Sequence, residues 1–313
     1  MTALIIRRLV LAIPLLLIVS FLTFALQSLI PGDPALSLLG ASATPEQLAA
    51  LRSQLNLDQP VLVQYGIYLS GLLHGDLGVS IFTGQPVIQT IAERLPVSLS
   101  LIIATTIVSL LVGTALGVLS ATRGPFVART SDVMSLVGAS LPNFWVGLVL
   151  VSVFAVTLFW LPATGYVPFE VSPVLWAQSL VLPIVALSLA AVATVAKVVR
   201  DGVATAMGMD YIRTLRAAGV PRRALVWKHA LRSSAVTLVT VLGVIFVGAL
   251  SGTVLVENVF VLPGLGSLAV SATSRQDLPV IQGVALTFTA ITIVVNLLVD
   301  VSYGLLNPKV RTS

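Results

Sequence analysis

The sequence contains no cysteine, and few of its residues are charged. Without cysteine there are no disulfides, no thiolate metal sites and no cysteine nucleophiles. Charged residues make up 9% of the 313 positions, whereas a soluble domain carries about 25%. The chain therefore lacks the polar surface that a protein needs to face water on all sides, which excludes a soluble enzyme.

Residues that bind metals or nucleotides are also scarce. The two histidines, His74 and His229, are far apart and form no HExxH pair, and the phosphate-binding motif GxxxxGK[ST] does not occur. The apolar runs have no carboxylate or histidine at their centres, where the proton or ion site of a secondary transporter would lie. We predict that this chain has no catalytic residues, no metal site and no cofactor of its own.

Long apolar runs dominate what the sequence does contain. Hydrophobic residues make up 57% of it, and the mean hydropathy is +1.05. Six runs of 22 or more residues lack Asp, Glu, Lys and Arg, and about 20 apolar residues cross a bilayer as a helix. A charge at the bilayer centre costs about 2.5–3.5 kcal/mol. We therefore predict an all-α integral membrane protein with six transmembrane helices, at residues 9–30, 98–121, 134–160, 178–199, 235–256 and 280–302.

The positions of Lys and Arg predict the orientation of these helices. With the N-terminus in the cytoplasm, the inner segments hold 14 Lys and Arg residues and the outer segments hold three. Cytoplasmic loops carry the excess of Lys and Arg, so both termini are predicted to be cytoplasmic. The basic surplus is thus a signal of topology, and we expect no nucleic-acid partner.

The predicted organisation has three parts: an N-terminus and first span (1–30), an outer region (31–97) and a core of five spans (98–313). In the outer region, Thr44 and Gln47 have the spacing of a capping box, with Pro45 at the first helical position. A second helical pattern follows Pro60. These short helices are predicted to lie at the membrane interface, either as packing alone or as a docking surface. The outer loop 257–279 is predicted to hold a turn and a short surface helix.

The inner loop 200–234 contains a helix–glycine–helix pattern, which membrane topology alone does not require. A short helix is predicted over Tyr211–Ala217, with Gly219 ending it and Pro221 starting a second helix that reaches about residue 231. Basic residues surround the small side chains at the turn between them. One interpretation is a loop that is basic because of topology and anionic lipid. The other is a docking element for a cytoplasmic protein.

The segment 210–235, DYIRTLRAAGVPRRALVWKHALRSSA, resembles the EAA loop of ABC-importer permeases. When the two are aligned on Gly219, Glu-Ala-Ala of the general pattern falls on Arg213-Thr214-Leu215, a departure typical of the dipeptide/oligopeptide branch. Arg7-Arg8 and the long first outer loop match the B-type permease of that branch. Other segments with the same resemblance are Ile30–Pro34, Leu57–Pro60, Gln64-Tyr65, Gly75–Ser80, Pro86-Val87, Arg94–Pro96, Leu161–Tyr166, Val256–Phe260, Pro263–Gly266, Asp277–Val280 and Asn296–Asp300.

The resemblance implies a type I ABC-importer permease fold in the bacterial plasma (inner) membrane. It implies a heterodimer with a homologous C-type permease, one or two cytoplasmic ATPases that bind ATP and Mg²⁺, and an extracytoplasmic substrate-binding protein. The substrates of the branch are di- and oligopeptides, although some members carry nickel, haem or other small solutes. A secondary transporter or channel that acts alone is the alternative.

The resemblance also implies two sets of site residues. The set expected to dock on the ATPase comprises Asp210, Tyr211, Arg213, Thr214, Arg216, Ala217, Ala218, Gly219 and Arg222. The set expected to face the binding protein comprises Asp33, Asp58, Asp76 and Glu257.

Overall fold

The computed structural model describes residues 2–29, 32–40, 42–124, 129–130, 133, 136–138 and 140–306. Among these residues the regular structure is helical, apart from one isolated antiparallel bridge between Val79 and Pro86. The predicted all-α class is therefore confirmed. The helices are α1 (Thr2–Ser28), α2 (Pro34–Leu39), α3 (Pro45–Gln54), α4 (Val61–Leu73), α5 (Val87–Thr122), α6 (Asn143–Leu150, continued as a π-helix over Val151–Thr157), α7 (Pro173–Met207), α8 (Asp210–Ala217), α9 (Arg222–Ala224, a π-helix over Leu225–Ala230, then Leu231–Ser233), α10 (Ala235–Val259), α11 (Leu265–Arg275) and α12 (Leu278–Leu306).

Five of the described helices, α1, α5, α7, α10 and α12, are long and apolar enough to cross a membrane. Each coincides with a predicted span. Several are longer than the span, since α5 begins at Val87 and α7 ends at Met207. Charged residues that end an apolar run, such as Glu93 and Arg94 in α5, do not end a helix. The remaining predicted span, 134–160, begins outside the described residues, and α6 with its π-helix accounts for its second half.

The chain divides into two compact units. The loop-bearing unit comprises Leu99–Leu262 and Val295–Ser313, and the N-terminal unit comprises Thr2–Ser98 and Pro263–Val294.

In the loop-bearing unit, two glycines of α5 allow a close approach of α7. A Cβ atom added at Gly113 would lie 2.6 Å from the Cβ of Val195, and one added at Gly117 would lie 2.6 Å from the carbonyl oxygen of Ala196. Both separations are too short for real atoms, so a side chain at either position would force the helices apart. Gly113 and Gly117 form a GxxxG pair, which is typical of close contacts between membrane helices.

The N-terminal unit has its own apolar cluster, to which α5, α11 and α12 contribute. The buried members are Val87, Ile91, Leu265, Leu268, Ala272, Val280 and Val284. The backbone N–H of Leu265 donates to Ser98 Oγ at 2.8 Å, which satisfies an amide at the start of α11. The short helix predicted in 257–279 is present as α11, and it packs on one face. Leu265, Leu268 and Ala272 share a helical face, and that face is buried.

The expected capping box is confirmed at the start of α3. The backbone N–H of Gln47 donates to Thr44 Oγ1 at 3.3 Å, and the backbone N–H of Thr44 donates to Gln47 Oε1 at 3.1 Å. A backbone hydrogen bond of Glu46 and, second, a bond from the Thr44 side chain lower the pKa of Glu46. The helix therefore has a defined beginning, although its residues contribute nothing to a buried core.

Candidate functional site

The helix α8 has a polar surface and one buried apolar residue, Ile212. Ile212 is fully buried, and α8 contacts the end of α7 and the π-helical part of α9. The nine residues expected to dock on a partner are all exposed: Asp210, Tyr211, Arg213, Thr214, Arg216, Ala217, Ala218, Gly219 and Arg222. The short helix is therefore held to the loop-bearing unit from one side, and the opposite side is accessible.

The turn after α8 requires a glycine because of its backbone conformation. Gly219 has φ +82°, in the left-handed region that L side chains rarely adopt. Its N–H donates to the carbonyl of Arg216 at 3.1 Å, and the N–H of Val220 donates to that of Leu215 at 3.1 Å. These bonds satisfy carbonyls at the helix end in the manner of a Schellman turn. The predicted helix end at Gly219 is confirmed.

Two of the exposed arginines already have partners within the loop-bearing unit. Arg213 pairs with Asp210 at 3.1 Å on an exposed surface, where such a pair contributes about 0–1 kcal/mol. Arg222 donates from Nη2 to the carbonyl oxygen of Thr122 at 3.1 Å. Thr122 is the last residue of α5, so a cation there also interacts favourably with the helix dipole. The sequence offered no signal for this contact, because 100 residues separate its partners.

The loop that carries α8 and α9 is joined rigidly to the long helices. Val226 and Ala230 of α9 belong to one buried cluster with residues of α5 and α7: Val118, Val195, Val199, Val203 and Ala206. A Cβ atom added at Gly202 would lie 2.3 Å from Ser234 Oγ, so the end of this loop is also in close contact with α7. A displacement of α8 and α9 would therefore be passed directly to the spanning helices.

The four acidic residues expected to face a binding protein have different environments. Asp58 and Asp76 are exposed, and the carboxylate of Asp76 accepts from the N–H of Gly78 at 2.8 Å. Asp33 and Asp58 both pair with Arg52, at 2.6 and 2.9 Å. Hydrogen bonds from Arg52 to Asp58 and Asp33, in that order, raise the pKa of Arg52.

Glu257 was wrongly assigned to an accessible surface. It has no solvent exposure, because it lies in the last turns of α10 beside the buried Val256 and Phe260. Its position just after an apolar run resembled the start of a loop, whereas the helix continues to Val259.

Sequence reasoning missed a buried carboxylate in the N-terminal unit. Asp277, 4% exposed, accepts a hydrogen bond from Ser80 Oγ at 2.5 Å and one from the N–H of Ile81 at 3.2 Å. It therefore connects the segment after α4 to the residue that precedes α12. Asp277 and Ser80 are 197 positions apart in the sequence, which explains why no local pattern predicted the contact.

Together, long apolar helices and an exposed loop anchored to them define a multi-pass helical membrane protein with an accessible basic surface. Residues 113–312 match the family model described as "binding-protein-dependent transport system inner membrane component". Residues 1–102 match the N-terminal model of the corresponding membrane component. The chain therefore belongs to this family of transport-system membrane components.

Relatives of nearly identical length extend this likeness. A putative peptide transport system permease protein of Brucella abortus is 43% identical over 312 residues, which cover 99% of each chain. A probable peptide ABC transporter permease protein of Sinorhizobium fredii is 39% identical, and a glutathione transport system permease protein of Salmonella choleraesuis is 38% identical. Both align over 308 residues, 98% of each chain. The resemblance to the dipeptide/oligopeptide branch of ABC-importer permeases is thus confirmed.

A solved structure supports the fold. A chain of the inward-facing MetNI methionine ABC transporter matches with a TM-score of 0.56 at 15% identity, covering 70% of this chain and 97% of that one. At this level of identity the match concerns the fold alone.

Proposed function

We propose that this permease subunit forms half of the translocation pathway of an ATP-driven peptide importer. The observation that carries the proposal is the exposed α8, held by the buried Ile212, in a chain that belongs to the transport-component family. Relatives that align with it from end to end are named for peptide or glutathione transport. Peptides are therefore the substrate class that we assign.

The proposed topology has six spans, with both termini in the cytoplasm. The third span runs from about residue 134 to 160 and includes α6 with its π-helix. Fourteen of the 17 Lys and Arg residues then fall on the cytoplasmic side, as expected from the excess of positive charge in inner loops. In this topology α8 and α9 face the cytoplasm, and α2, α3 and α4 lie on the outer side.

In the proposed mechanism the exposed face of α8 docks on a cytoplasmic ATPase. The ATPases, not this chain, bind ATP and Mg²⁺ and supply the energy. When they close on ATP, α8 moves with them, and the buried contacts of Val226 and Ala230 pass the movement to α7 and α5. The spans then reorient as rigid bodies and expose the substrate pathway to the other side. A homologous permease forms the second half of that pathway.

The proposed outer surface for a substrate-binding protein includes Asp58 and Asp76, which are exposed. Asp33 is partly covered by its ion pair with Arg52 and would stabilise this surface more than contact a partner. Glu257 is not part of it, because its side chain is buried.

Co-purification under mild detergent tests the proposed assembly. We expect the tagged chain to bring down a second permease and one or two ATPases in constant ratio. Identification of the co-purified chains by mass spectrometry provides the measurement. Recovery of the chain as a homo-oligomer that transports without ATPases would instead support the secondary transporter or channel.

Charge reversal on α8 tests the docking role. We expect Arg213→Glu together with Arg216→Glu to lower ATP-dependent uptake at least tenfold, because both exposed cations would become anions at the docking face. Stability should change by no more than about 1 kcal/mol, the upper value for an exposed ion pair such as that of Arg213 with Asp210. Uptake and ATP hydrolysis in proteoliposomes provide the readouts.

Arg129→Glu is the matched control for this pair of substitutions, because Arg129 is also exposed and falls on the same proposed side. It should leave uptake close to that of the unmodified protein. Normal coupled uptake in the α8 double variant would refute docking through these arginines.

A further inference from the structure

Two adjoining cavities in the N-terminal unit form a cleft with an unusual lining. Their volumes are about 310 and 220 Å³. They share the walls formed by Phe24, Leu57, Gln64 and Leu278. We call the pair the amide cleft, since glutamines recur along it.

Three side chains of the amide cleft have buried polar atoms that lack the hydrogen bonds that their chemistry requires. Gln27 is 8% exposed and lines the larger cavity, and Gln282 is 1% exposed and lines the smaller one. Neither the amide nitrogen nor the amide oxygen of either residue has a hydrogen-bond partner among the described residues. The hydroxyl of Tyr68, in the smaller cavity, is in the same situation. Burial of polar atoms without partners is costly, so native proteins rarely retain them unless a ligand or water satisfies them.

The charges along the cleft do not favour an anion. Arg52 is the only Lys or Arg among its described lining residues, and its guanidinium already binds Asp33 and Asp58 at 2.6 and 2.9 Å. Nucleotides, phosphate and anionic lipid headgroups would be repelled by the carboxylate of Asp33, and Arg52 is already paired with carboxylates. The ligand class must therefore rely on neutral hydrogen bonds.

A peptide backbone matches this lining. Each carboxamide offers a carbonyl acceptor and an NH₂ donor, so one glutamine can form paired hydrogen bonds with the C=O and N–H of a peptide. Phe24, Leu57 and Ile281 provide apolar walls for side chains. The larger cavity reaches the lower end of the usual size range for ligand sites, about 300–1,000 Å³, and far exceeds the roughly 30 Å³ of one water molecule.

We propose that the amide cleft binds a neutral peptide segment through its backbone, held by Gln27, Gln282 and Tyr68. The inference rests on the proposed function for the source of that segment. A transported peptide and an extended segment of the extracytoplasmic partner share this chemistry.

The test is a binding titration on the complete transporter complex in nanodiscs, with ligand-observed NMR as the readout of binding. The probe is N-acetyl-alanyl-alanine amide, and its reference is the depsipeptide analogue in which an ester oxygen replaces the central N–H. We expect the probe to bind the unmodified protein and the ester to bind at least fivefold more weakly. In Gln27→Met with Gln282→Met, affinity for the probe should fall at least tenfold.

Thermal unfolding separates lost binding from lost folding. Methionine has nearly the volume of glutamine and no strong hydrogen-bonding group, so the double variant should unfold at the same or a higher temperature. Gln89→Met, on an exposed glutamine outside the cleft, should bind the probe normally. If the double variant does not fold, Tyr68→Phe alone is expected to weaken probe binding while retaining the fold.

Lack of probe binding by the unmodified protein, or equal affinity in the folded double variant, would overturn the proposal. Competition by transported peptides would identify the substrate as the source, and displacement by the binding protein would identify a partner segment. ATP-dependent uptake is measured in the same preparation. Uptake without probe binding refutes peptide binding by the amide cleft and leaves the proposed function standing. Probe binding without uptake refutes the proposed function and leaves the binding site standing.

Discussion

At the scale of single residues, the turn after α8 shows most directly how sequence determines function here. The backbone of Gly219 lies in the left-handed region, but a Cβ atom added to it would have no atom within 4 Å. Space is therefore not the reason for a glycine at this position; the backbone conformation is. The same glycine leaves a flat exposed surface beside Ala217 and Ala218, where another backbone can approach closely.

We expect Gly219→Ala to destabilise the protein by about 1–2 kcal/mol, the cost of a left-handed L residue. It should also lower ATP-coupled uptake several-fold, because the added methyl group projects from the docking face. Gly75→Ala is the matched control, since Gly75 has φ +80° and equally open space around its Cβ position. Thermal unfolding and uptake provide the measurements. Equal loss of uptake in both variants would show that strain alone, and not the docking face, is responsible.

A second prediction at this scale concerns Tyr68. Burial raises the pKa of its hydroxyl from 10.0 to about 12, with a smaller contribution from Tyr65. A raised pKa means that the fold favours the neutral form, so this stabilisation is complete below pH 10 and is lost as the pH rises to 12. We expect the unmodified protein to lose more stability over this interval than Tyr68→Phe does. Unfolding temperatures at stepwise pH values test this, and parallel curves would contradict it.

Residue environments were predicted from the sequence only where local pattern decides them. The exposure of Arg213 and Arg216 was expected because both are charged residues on a short amphipathic helix whose buried residue is Ile212. The burial of Glu257 and the pairing of Asp277 with Ser80 could not be predicted, because their surroundings come from distant parts of the chain. Gln27 and Gln282, whose amides lack hydrogen-bond partners among the described residues, were missed for the same reason.

At the scale of helices, α5 and α7 approach each other closely in the loop-bearing unit. Gly113 and Gly117 place the α5 backbone against Val195 and Ala196. These helices also bury the cluster that receives α9. The packing of the spans and the attachment of the loop thus depend on the same pair of glycines.

We expect Gly117→Ala to cost about 1–3 kcal/mol, the usual penalty for overpacking, because its Cβ atom would lie 2.6 Å from a backbone oxygen that cannot move freely. Gly248→Ala in α10 is the control, since nothing lies within 4 Å of its Cβ position. In the isolated subunit this control should be neutral or stabilising, as alanine is the better helix former. Unfolding temperatures in detergent measure both. A neutral Gly117→Ala would contradict the close contact of α5 and α7.

The spans were predictable because an apolar run of about 20 residues without charge is longer than the core helix of a soluble protein needs and matches the thickness of a bilayer. The burial of the amphipathic α11 was harder to predict. Leu265, Leu268 and Ala272 reveal an apolar face in the sequence, but not which helices cover it. The π-helices at Val151–Thr157 and Leu225–Ala230 have no recognised sequence signal and were not predicted.

At the scale of the whole molecule, composition predicted a membrane protein and charge placement predicted its orientation. The pattern of the inner loop predicted a cytoplasmic partner, and the loop is exposed. The family match confirmed that the chain is a component of a transport system. Substrate identity could not be derived from the chain, because no motif in its sequence selects one solute. The peptide assignment therefore depends on the relatives' names.

The central claim is that this chain is one half of a pathway that other subunits drive. Its most direct test is uptake of a labelled peptide by proteoliposomes that contain this chain, its partner permease, the ATPases and the binding protein. We predict accumulation only when ATP is present on the ATPase side and the binding protein on the opposite side. Omission of this chain should abolish accumulation, and Arg213→Glu with Arg216→Glu should lower it at least tenfold. Peptide accumulation by this chain alone, without ATP or ATPases, would contradict the claim.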